Sequence, residues 1–455
     1  MNLTENLAGR VAAIKYEQLP EKTVRSVKRF ILDNLGNMIR GMSQKPVQKI
    51  AAAAGVCSDG TEATVFGCLP AKKNSAMYAA MLNGAAAHSL DYDDLHNPSI
   101  VHAACVTVPA GLAVGETLSA SGRDIIAALT AGYEAAARIG ECINPESYYF
   151  WHTTATCGTI SAAVAAGHLL RFDAEKMAQC IGTAGTQVGG LWEFLADGAM
   201  SKLLHIGKAN YSGILSAKLT ADGFTAARDI LGGEKGFCRA MLAEPHWSKL
   251  TEDTGGYKID DNSYRPYPCS KHTHPASDAV LLLRSGRGLT LENAAAFEVR
   301  TNSVAKRLVD NPEPENIAAA KFSVQYCVTA MLRYGRLGID EFTEEKLHDA
   351  ELREAMRRFK VIADEQIDRE YKEKPDRWAA VLKAETKDGK IMEQLVEYPK
   401  GDPPNPMTWE EMTEKFMSLS EPVYGREISL KLINLIENLE QCKDFKKALA
   451  DCLHK

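Results

Sequence analysis

The chain has 455 residues, 45% of them apolar and 25% charged, which predicts a globular protein with two domains rather than one simple core. Its net charge is −6, with Lys and Arg scattered along the chain, which excludes the concentrated basic face that nucleic acid requires. No apolar run reaches the roughly 20 residues of a membrane span, and the start MNLTENLAGR lacks the basic and apolar stretches of a signal peptide, so a cytoplasmic protein with no membrane partner is expected.

In chain order, Thr4 is the expected cap of a first helix, and Leu19-Pro20 opens a second. In that second helix Val24, Val27, Phe30, Ile31, Leu35, Met38 and Ile39 recur at helical spacing until Gly41. From Asn74 to Gly223 the text is dominated by Ala-rich segments: Ala76–Ala87, Val106–Leu118, Asp124–Ile139, Thr156–Leu170, Ala174–Ala184 and Ala209–Ala221. Alanine has the best helix propensity, and small side chains let helices approach closely, so this half reads as a helical bundle.

Beyond Asp261 the grammar changes. Pro266, Pro268 and Pro275 interrupt the chain, and a helix is predicted from Pro275 to about Ser285. Ala296–Thr301 and Lys360–Ala363 read as strands, with a helix from Glu315 to Tyr334 between them. Ala380–Thr386 and Lys390–Tyr398 flank Lys387-Asp388-Gly389, a hairpin signal. After GDPPNP, Trp409–Leu453 returns to helix. The predicted fold is mainly α: a large all-helical domain formed by both chain ends (1–262 and 404–455), with an α+β lid domain (263–403) inserted.

Polar residues of chemical interest gather in few places. Residues 84–116 hold His88, His96 and His102 with Asp91, Asp93 and Asp94, set between apolar runs. Burying an unpaired charge costs several kcal/mol or moves its pKa, so such a cluster is a satisfied network or an active site. The plain alternative is a surface loop between two buried helices. His152 precedes an Ala/Gly-rich helix, and Lys202 and His205 stand just before another. The segment YRPYPCSKHTH leads into Pro275, which sets Thr273 and His274 at the positive end of a helix, with Lys271 and His272 adjacent. That arrangement suits a carboxylate; its plain alternative is a proline-stapled loop with basic residues facing water. Tyr326 reads most simply as an interface or core tyrosine.

The eleven cysteines contain no Cys-x-x-Cys pair, so a zinc site or iron–sulfur cluster built on local cysteine spacing is not expected, and with no Gly-rich nucleotide loop present nothing signals a nucleotide. Histidines, lysines, an arginine and aspartates suit removal of a proton from carbon next to a carboxylate. Such chemistry needs a positioned base and cations to hold the enediolate charge. His102 or His152 is the candidate base; Lys202, Arg265 and Lys271 are the candidate cations. Asp91 is placed to orient a histidine or carry a proton to the leaving group.

Five pieces in order along nearly the whole chain carry a resemblance: HSLDYDDLH (88–96) followed by Ser99-Ile100-Val101-His102, WHTTATCG (151–158), LWEFLADGAMSKLLHIGKA (191–209), RPYPCSKHTHPASDA (265–279) and KFSVQYCV (321–328). They resemble the MmgE/PrpD family, which includes 2-methylcitrate dehydratases, cis-aconitate decarboxylases and iminodisuccinate epimerases. The resemblance implies a helical domain with an α+β lid, a homodimer, and catalysis without metal or organic cofactor. By position in the motifs, Asp91, His102, His152, Lys202 and Tyr326 fall where decarboxylase-like members place active-site residues. Arg265, Ser270, Lys271, His272, His274, His96 and Leu95 are the implied substrate-binding residues.

The chain departs from the decarboxylase pattern at Leu95, which replaces a hydroxyl residue, at Arg265, which replaces a lysine, and at Ser270, which replaces a histidine. Ala103 stands after His102 where proline is frequent. These positions line the substrate pocket in those members, which turns the expectation away from decarboxylation. The expected function is a cofactor-independent lyase acting on a small di- or tricarboxylate by α-proton abstraction. Dehydration of a 2-methylcitrate-like hydroxyacid comes first, epimerisation of an iminodisuccinate-like diacid next, and cis-aconitate decarboxylation third. Two other classes compete: a metal-dependent hydro-lyase or hydrolase with His88, Asp91, Asp94 and His96 as ligands, and a catalytically inert helical interaction protein.

Overall fold

Small side chains build the first of two units into which the chain divides, Met1–Asn262 with Thr408–Lys455; the second is Ser263–Met407. The computed structural model describes residues 2–57, 60–374 and 376–454. In the first unit the helix Glu21–Gly41 starts after Pro20 and buries Val24, Val27, Phe30, Ile31, Leu35, Met38 and Ile39, the stripe its sequence spacing predicts. The Ala-rich segments form Ala76–His88, Ala104–Thr117, Gly122–Ile143, Thr153–Leu169, Ala174–Gly185 and Ser201–Ala221. Every residue of Thr153–Leu169 is buried, as expected of a helix that is apolar all round and enclosed by its neighbours. It packs against both Gly122–Ile143 and Ser201–Ala221. At the second of these contacts a Cβ on Gly213 would lie 2.5 Å from Ala162 Cβ and 2.7 Å from the Ala163 nitrogen. Glycine is required there because the two helix backbones nearly touch. Among the described residues no helix is long and apolar enough to cross a membrane.

Four local expectations are corrected. The first helix, Leu3–Ala12, is capped by Asn2 through a reciprocal pair with Glu5, while Thr4 lies inside the first turn and donates to Asp229 at 3.0 Å. Ser201–Ala221 begins eight residues before the predicted Ala209, because Leu203, Ile206 and Gly207 continue its buried face through a stretch that is polar in composition. Lys202 and His205 therefore stand on its first turns rather than before it. Two three-residue strands, β1 (Ala63–Val65) and β2 (Lys72–Asn74), pair antiparallel within the otherwise helical unit. They are too short for a period of two to register in the sequence.

The fourth correction lies in the second unit. The helix expected from Glu315 to Tyr334 is two, Ile317–Ala320 and Val324–Tyr334. Ser323 breaks it: its backbone is extended, its hydroxyl accepts from Tyr326 N at 3.0 Å and donates to Asn311 O at 2.6 Å. A serine with a cap to make favours that role over a helix interior. The same unit holds a four-stranded sheet in the order β4-β3-β5-β6, formed by β3 (Ala294–Thr301), β4 (Phe359–Ala363), β5 (Ala380–Thr386) and β6 (Ile391–Val396). β3 runs parallel to β4 and antiparallel to β5, and Gly389, at φ 83°, closes the β5–β6 hairpin. Glu298, Lys383 and Glu393 fall in register across three strands, alternating in sign. The helix His274–Arg287 packs on β5, β6 and Val324–Tyr334, burying Val280 and Leu283 in one core with Phe297, Leu382 and Met331.

The close helix approach generates a stability prediction. Gly213→Ala should destabilise the protein by about 1–3 kcal/mol in urea denaturation, although alanine is the better helix former. Equal or higher stability would show that the two helices separate at no cost.

Candidate active site

The loop between Ala76–His88 and Ala104–Thr117 is folded back on itself. Asp91 (φ 54°) and Ile100 (φ 51°) adopt the left-handed backbone that non-glycine residues rarely take, and His96 N donates to Val101 O at 2.9 Å. The result sorts the loop's polar groups by depth. Asp93, Asp94 and His96 are buried, while the side chains of Asp91 and His102 keep partial exposure.

Asp94 is the hub. Both its carboxylate oxygens lie 3.0 Å from the backbone N of Ala104, the first residue of the next helix, and its Oδ2 also accepts from Asn262 Nδ2 at 2.5 Å and from the Tyr133 hydroxyl at 3.4 Å. Burial pushes its pKa well above the usual carboxylate range and the neighbouring Asp93 charge adds to this, against the pull of the Asn262 and Ala104 hydrogen bonds. The backbone carbonyl of the same residue accepts from His102 Nδ1 at 2.5 Å. A carbonyl only accepts, so His102 carries its hydrogen on Nδ1 and its lone pair on Nε2. Asp93 Oδ2 lies 2.7 Å from His88 Nδ1 and 3.7 Å from His102 Nδ1, so one carboxylate stands between two imidazoles.

Two further helices bring groups to this cluster. His152 is the residue before Thr153–Leu169, and its N donates to Gly190 O at 2.9 Å. Its ring centre lies 4.7 Å from that of Trp192, 5.6 Å from His88 and 5.7 Å from His205. Burial holds the His152 pKa well below the usual histidine value, and repulsion from the Lys202 ammonium, and from His88, His205 and His102 whenever they are protonated, presses the same way. His205 is lowered too, by burial first and then by His88 and Lys208. Lys202, on the first turn of Ser201–Ala221, donates to Asp91 Oδ1 at 2.8 Å, and both side chains are about a quarter exposed (26% and 25%).

Asp91, His102, His152 and Lys202 thus share one cluster with His88, Asp93 and His205 of the first unit. His96 is turned into the loop's own network, 2.8 Å from Ser99 Oγ and 3.8 Å from Glu141, and Leu95 is buried. The metal set considered from sequence does not assemble, since Asp91 meets Lys202 and His96 meets Ser99. Among the described residues the side chains spaced for a metal are His88, Asp93 and Cys105, with ligand atoms within 4.8 Å. The Cys105 thiol is pushed well above its usual pKa by burial and by the two aspartates, and it donates to His102 O at 3.2 Å. These three residues read as the hydrogen-bonded floor of the cluster. Sequence reasoning missed Asp93, His88 and Asn262 in these roles. Residues two apart on an extended chain share a side, so the spacing of Asp91 and Asp93 gives no sign that their carboxylates diverge as they do at the left-handed Asp91 backbone, and nothing in the sequence links Asn262 to Asp94.

The remaining expected residues belong to the second unit. Lys271 is buried and ion-paired with Asp402, its ammonium 5.3 Å from the Trp378 ring centre; burial lowers its pKa and Asp402 opposes that. His272 stacks on Trp378 with ring centres 4.3 Å apart, and burial of the ring, with Lys271 and His274 nearby, pushes its pKa down to about 3. The helix begins at His274, with Thr273 before it, and His274 is fully buried with Nε2 3.3 Å from Cys269 O. Arg265 Nη1 donates to Cys269 O at 3.5 Å, and the Ser270 N donates to Lys321 O at 2.8 Å. Of the basic groups expected to face solvent or an anion at this helix start, Arg265, Lys271 and His274 are therefore buried and His272 is half-buried. Tyr326, expected among the catalytic residues, is a core residue: it is 0% exposed and its hydroxyl donates to Glu341 O at 2.5 Å. The break at Ser323 starts its helix there and turns the ring inward.

Comparisons with known proteins agree on the lineage of both halves. The MmgE/PrpD N-terminal domain matches residues 5–250, and the MmgE/PrpD C-terminal domain matches residues 267–441. The cis-aconitate decarboxylase of Mus musculus is 26% identical over 97% of this chain and 92% of its own length. That of Homo sapiens is 26% identical over 97% and 93%. The mitochondrial 2-methylcitrate dehydratase of Yarrowia lipolytica is 26% identical over 44% of this chain and 37% of its own.

A buried neutral His152 has a thermodynamic signature. Above the ordinary histidine pKa of 6.5 both folded and unfolded chains hold it neutral, and it contributes no pH dependence. Below that value the unfolded chain takes a proton that the folded ring refuses, so stability falls as pH falls, by up to about 1.4 kcal/mol per pH unit. Urea denaturation from about pH 7.5 to about pH 5 should give His152→Gln a shallower slope than wild type. Parallel slopes would mean that His152 accepts its proton inside the fold.

Proposed function

The chain belongs to the MmgE/PrpD family, and from that premise we propose that it is a lyase acting on a small di- or tricarboxylate by proton transfer at the carbon next to a carboxylate. The observation that carries the reading is His102. Its tautomer is set by the Asp94 carbonyl, which leaves Nε2 as the basic nitrogen, and the imidazolium formed on taking a proton is supported by Asp93 at 3.7 Å. The Lys202 ammonium, held at 2.8 Å by Asp91, neutralises the charge that builds on the enediolate. In a dehydration, the proton taken by His102 from carbon passes to the departing hydroxyl, water leaves, and the base is regenerated. His152, kept neutral by burial, is a hydrogen-bonding partner rather than a cation in this scheme.

Dehydration of a 2-methylcitrate-like hydroxyacid is the first reading, supported by Leu95, Arg265 and Ser270, which depart from the decarboxylase-like pattern. Decarboxylation of cis-aconitate is the second, supported by relatives with that name that match 97% of the chain. We further infer a homodimer that needs no metal or organic cofactor, on the strength of the family resemblance.

Proton NMR in deuterated buffer, on EDTA-treated protein with 2-methylcitrate, citrate, cis-aconitate and aspartate- or tartrate-derived diacids, tests this reading. Dehydration is the expected outcome, read as an allylic methyl singlet replacing the methyl doublet of 2-methylcitrate or as a new vinyl signal from citrate, and itaconate from cis-aconitate would establish the second reading instead. Loss of an α-proton signal without a new product would make the chain an epimerase. Unchanged spectra throughout, with turnover restored by a divalent metal, would overturn the metal-free proposal. On the acid that reacts, His102→Ala should cut kcat by at least about 10² while the melting temperature stays near wild type. Lys202→Ala should lower kcat/KM; an unchanged value would make Lys202 a rim lysine with no part in the chemistry.

A further inference from the structure

The loop bearing Asp91, Asp93 and Asp94 is gripped from behind by a buried ammonium that the chemistry above leaves unused. We propose that Lys415 is a positioning residue of this site, holding the Tyr92 carbonyl so that the aspartates on either side of it are delivered to Lys202 and to His88 and His102. The proposal rests on the proton-transfer reading of that cluster.

Lys415 lies on the helix Trp409–Tyr424, in the part of the first unit contributed by the C-terminal segment. Its Nζ donates to Tyr92 O at 2.7 Å and to Asp33 Oδ1 at 2.6 Å, and it stands 3.8 Å from the centre of the Tyr92 ring. The side chains of Lys415 and Asp33 are 3% and 0% exposed. Asn37, one turn along from Asp33 on Glu21–Gly41, also donates to Tyr92 O at 3.3 Å. A single backbone carbonyl therefore receives a buried cation and an amide from two different helices.

The position of that carbonyl gives the arrangement its meaning. It lies immediately after Asp91, whose left-handed backbone (φ 54°) is a conformation a non-glycine residue keeps only when its surroundings impose it. With this turn in place, the Asp91 carboxylate meets Lys202, while Asp93, two residues on, meets His88 and approaches His102. A buried ion pair is weak evidence for stability, because desolvating both charges offsets most of their attraction, and apolar replacements are often tolerated. What the Lys415–Asp33 pair does supply is a cation of fixed place with a donor to spare for Tyr92 O. Its readout should therefore be the geometry of the loop more than the stability of the fold.

Lys415→Met alone would strand the Asp33 charge, so the test uses the neutral double variant Asp33→Asn/Lys415→Met, with Asp33→Leu/Lys415→Leu as a second in case the first folds poorly. Melting temperature, kcat and KM on whichever acid of the panel wild type turns over, and amide hydrogen exchange of the segment 89–96 are compared with wild type. The expected result is a melting temperature close to wild type, faster exchange confined to this segment, and kcat reduced by about 10² with KM changed by less than about a factor of three. Wild-type exchange and kcat in a folded variant would overturn the proposal and leave the pair a packing feature. Should wild type turn over none of the acids, the functional reading fails by itself. The exchange measurement then still decides whether Lys415 holds the loop.

Discussion

Asp94 is the group on which the first unit's chemistry depends, because it is tied in two directions at once. Its carboxylate closes the start of Ala104–Thr117, and its backbone carbonyl fixes the His102 ring. Moving either bond would move the other, so helix start and imidazole are one rigid construction. The environment carries a tension. A helix N-terminus and the Asn262 amide favour a charged carboxylate, whereas burial beside Asp93 disfavours it more strongly. The adjacent carboxylates are thereby driven apart in character: Asp94 resists ionisation, and Asp93 faces two imidazoles. Divergence of neighbouring acids is a recurrent way to prepare one of them to support a developing positive charge.

The cluster assembles at helix ends. His88 is the last residue of Ala76–His88, His102 stands two residues before Ala104–Thr117, His152 directly precedes Thr153–Leu169, and Lys202 is the second residue of Ser201–Ala221. Helix ends have backbone groups and side chains free of the regular ladder, so they are where a bundle of small residues can afford polar chemistry. The bodies of these helices pack too tightly for it, as Gly213 against Ala162 shows. Dense packing also explains why His152 stays neutral: a ring withdrawn from water, with the Lys202 ammonium and other imidazoles nearby, has little to stabilise a proton.

In the second unit the same physics gives a different outcome. The basic run at the start of His274–Arg287 is absorbed by local partners, Lys271 by Asp402 and His272 by Trp378, around a sheet whose core includes Tyr326. A buried lysine retains its charge only with such a partner, so Asp402 is as necessary to that segment as the lysine.

Much of the fold class was legible in one dimension. Alanine-rich segments with helical spacing announce a bundle, and Ala380–Thr386 with the Asp388-Gly389 turn announces a hairpin, because those signals repeat over many residues or sit within a few. The five ordered motifs likewise suffice to identify the MmgE/PrpD family, since a family is written in local strings. Decisions resting on one residue's backbone were not legible: Asn2 rather than Thr4 as a cap, a helix beginning at Ser201, a break at Ser323. Least legible were the bonds that define the cluster. Asn262 reaches Asp94 across 168 residues and Lys415 reaches Tyr92 across 323, and a sequence records no distance between such positions. The sequence by itself determined which polar residues the chain owns and which helices carry them. Only the tertiary structure decided which histidine nitrogen is basic and which aspartate is silenced by burial, because both depend on partners that packing alone brings within hydrogen-bond reach.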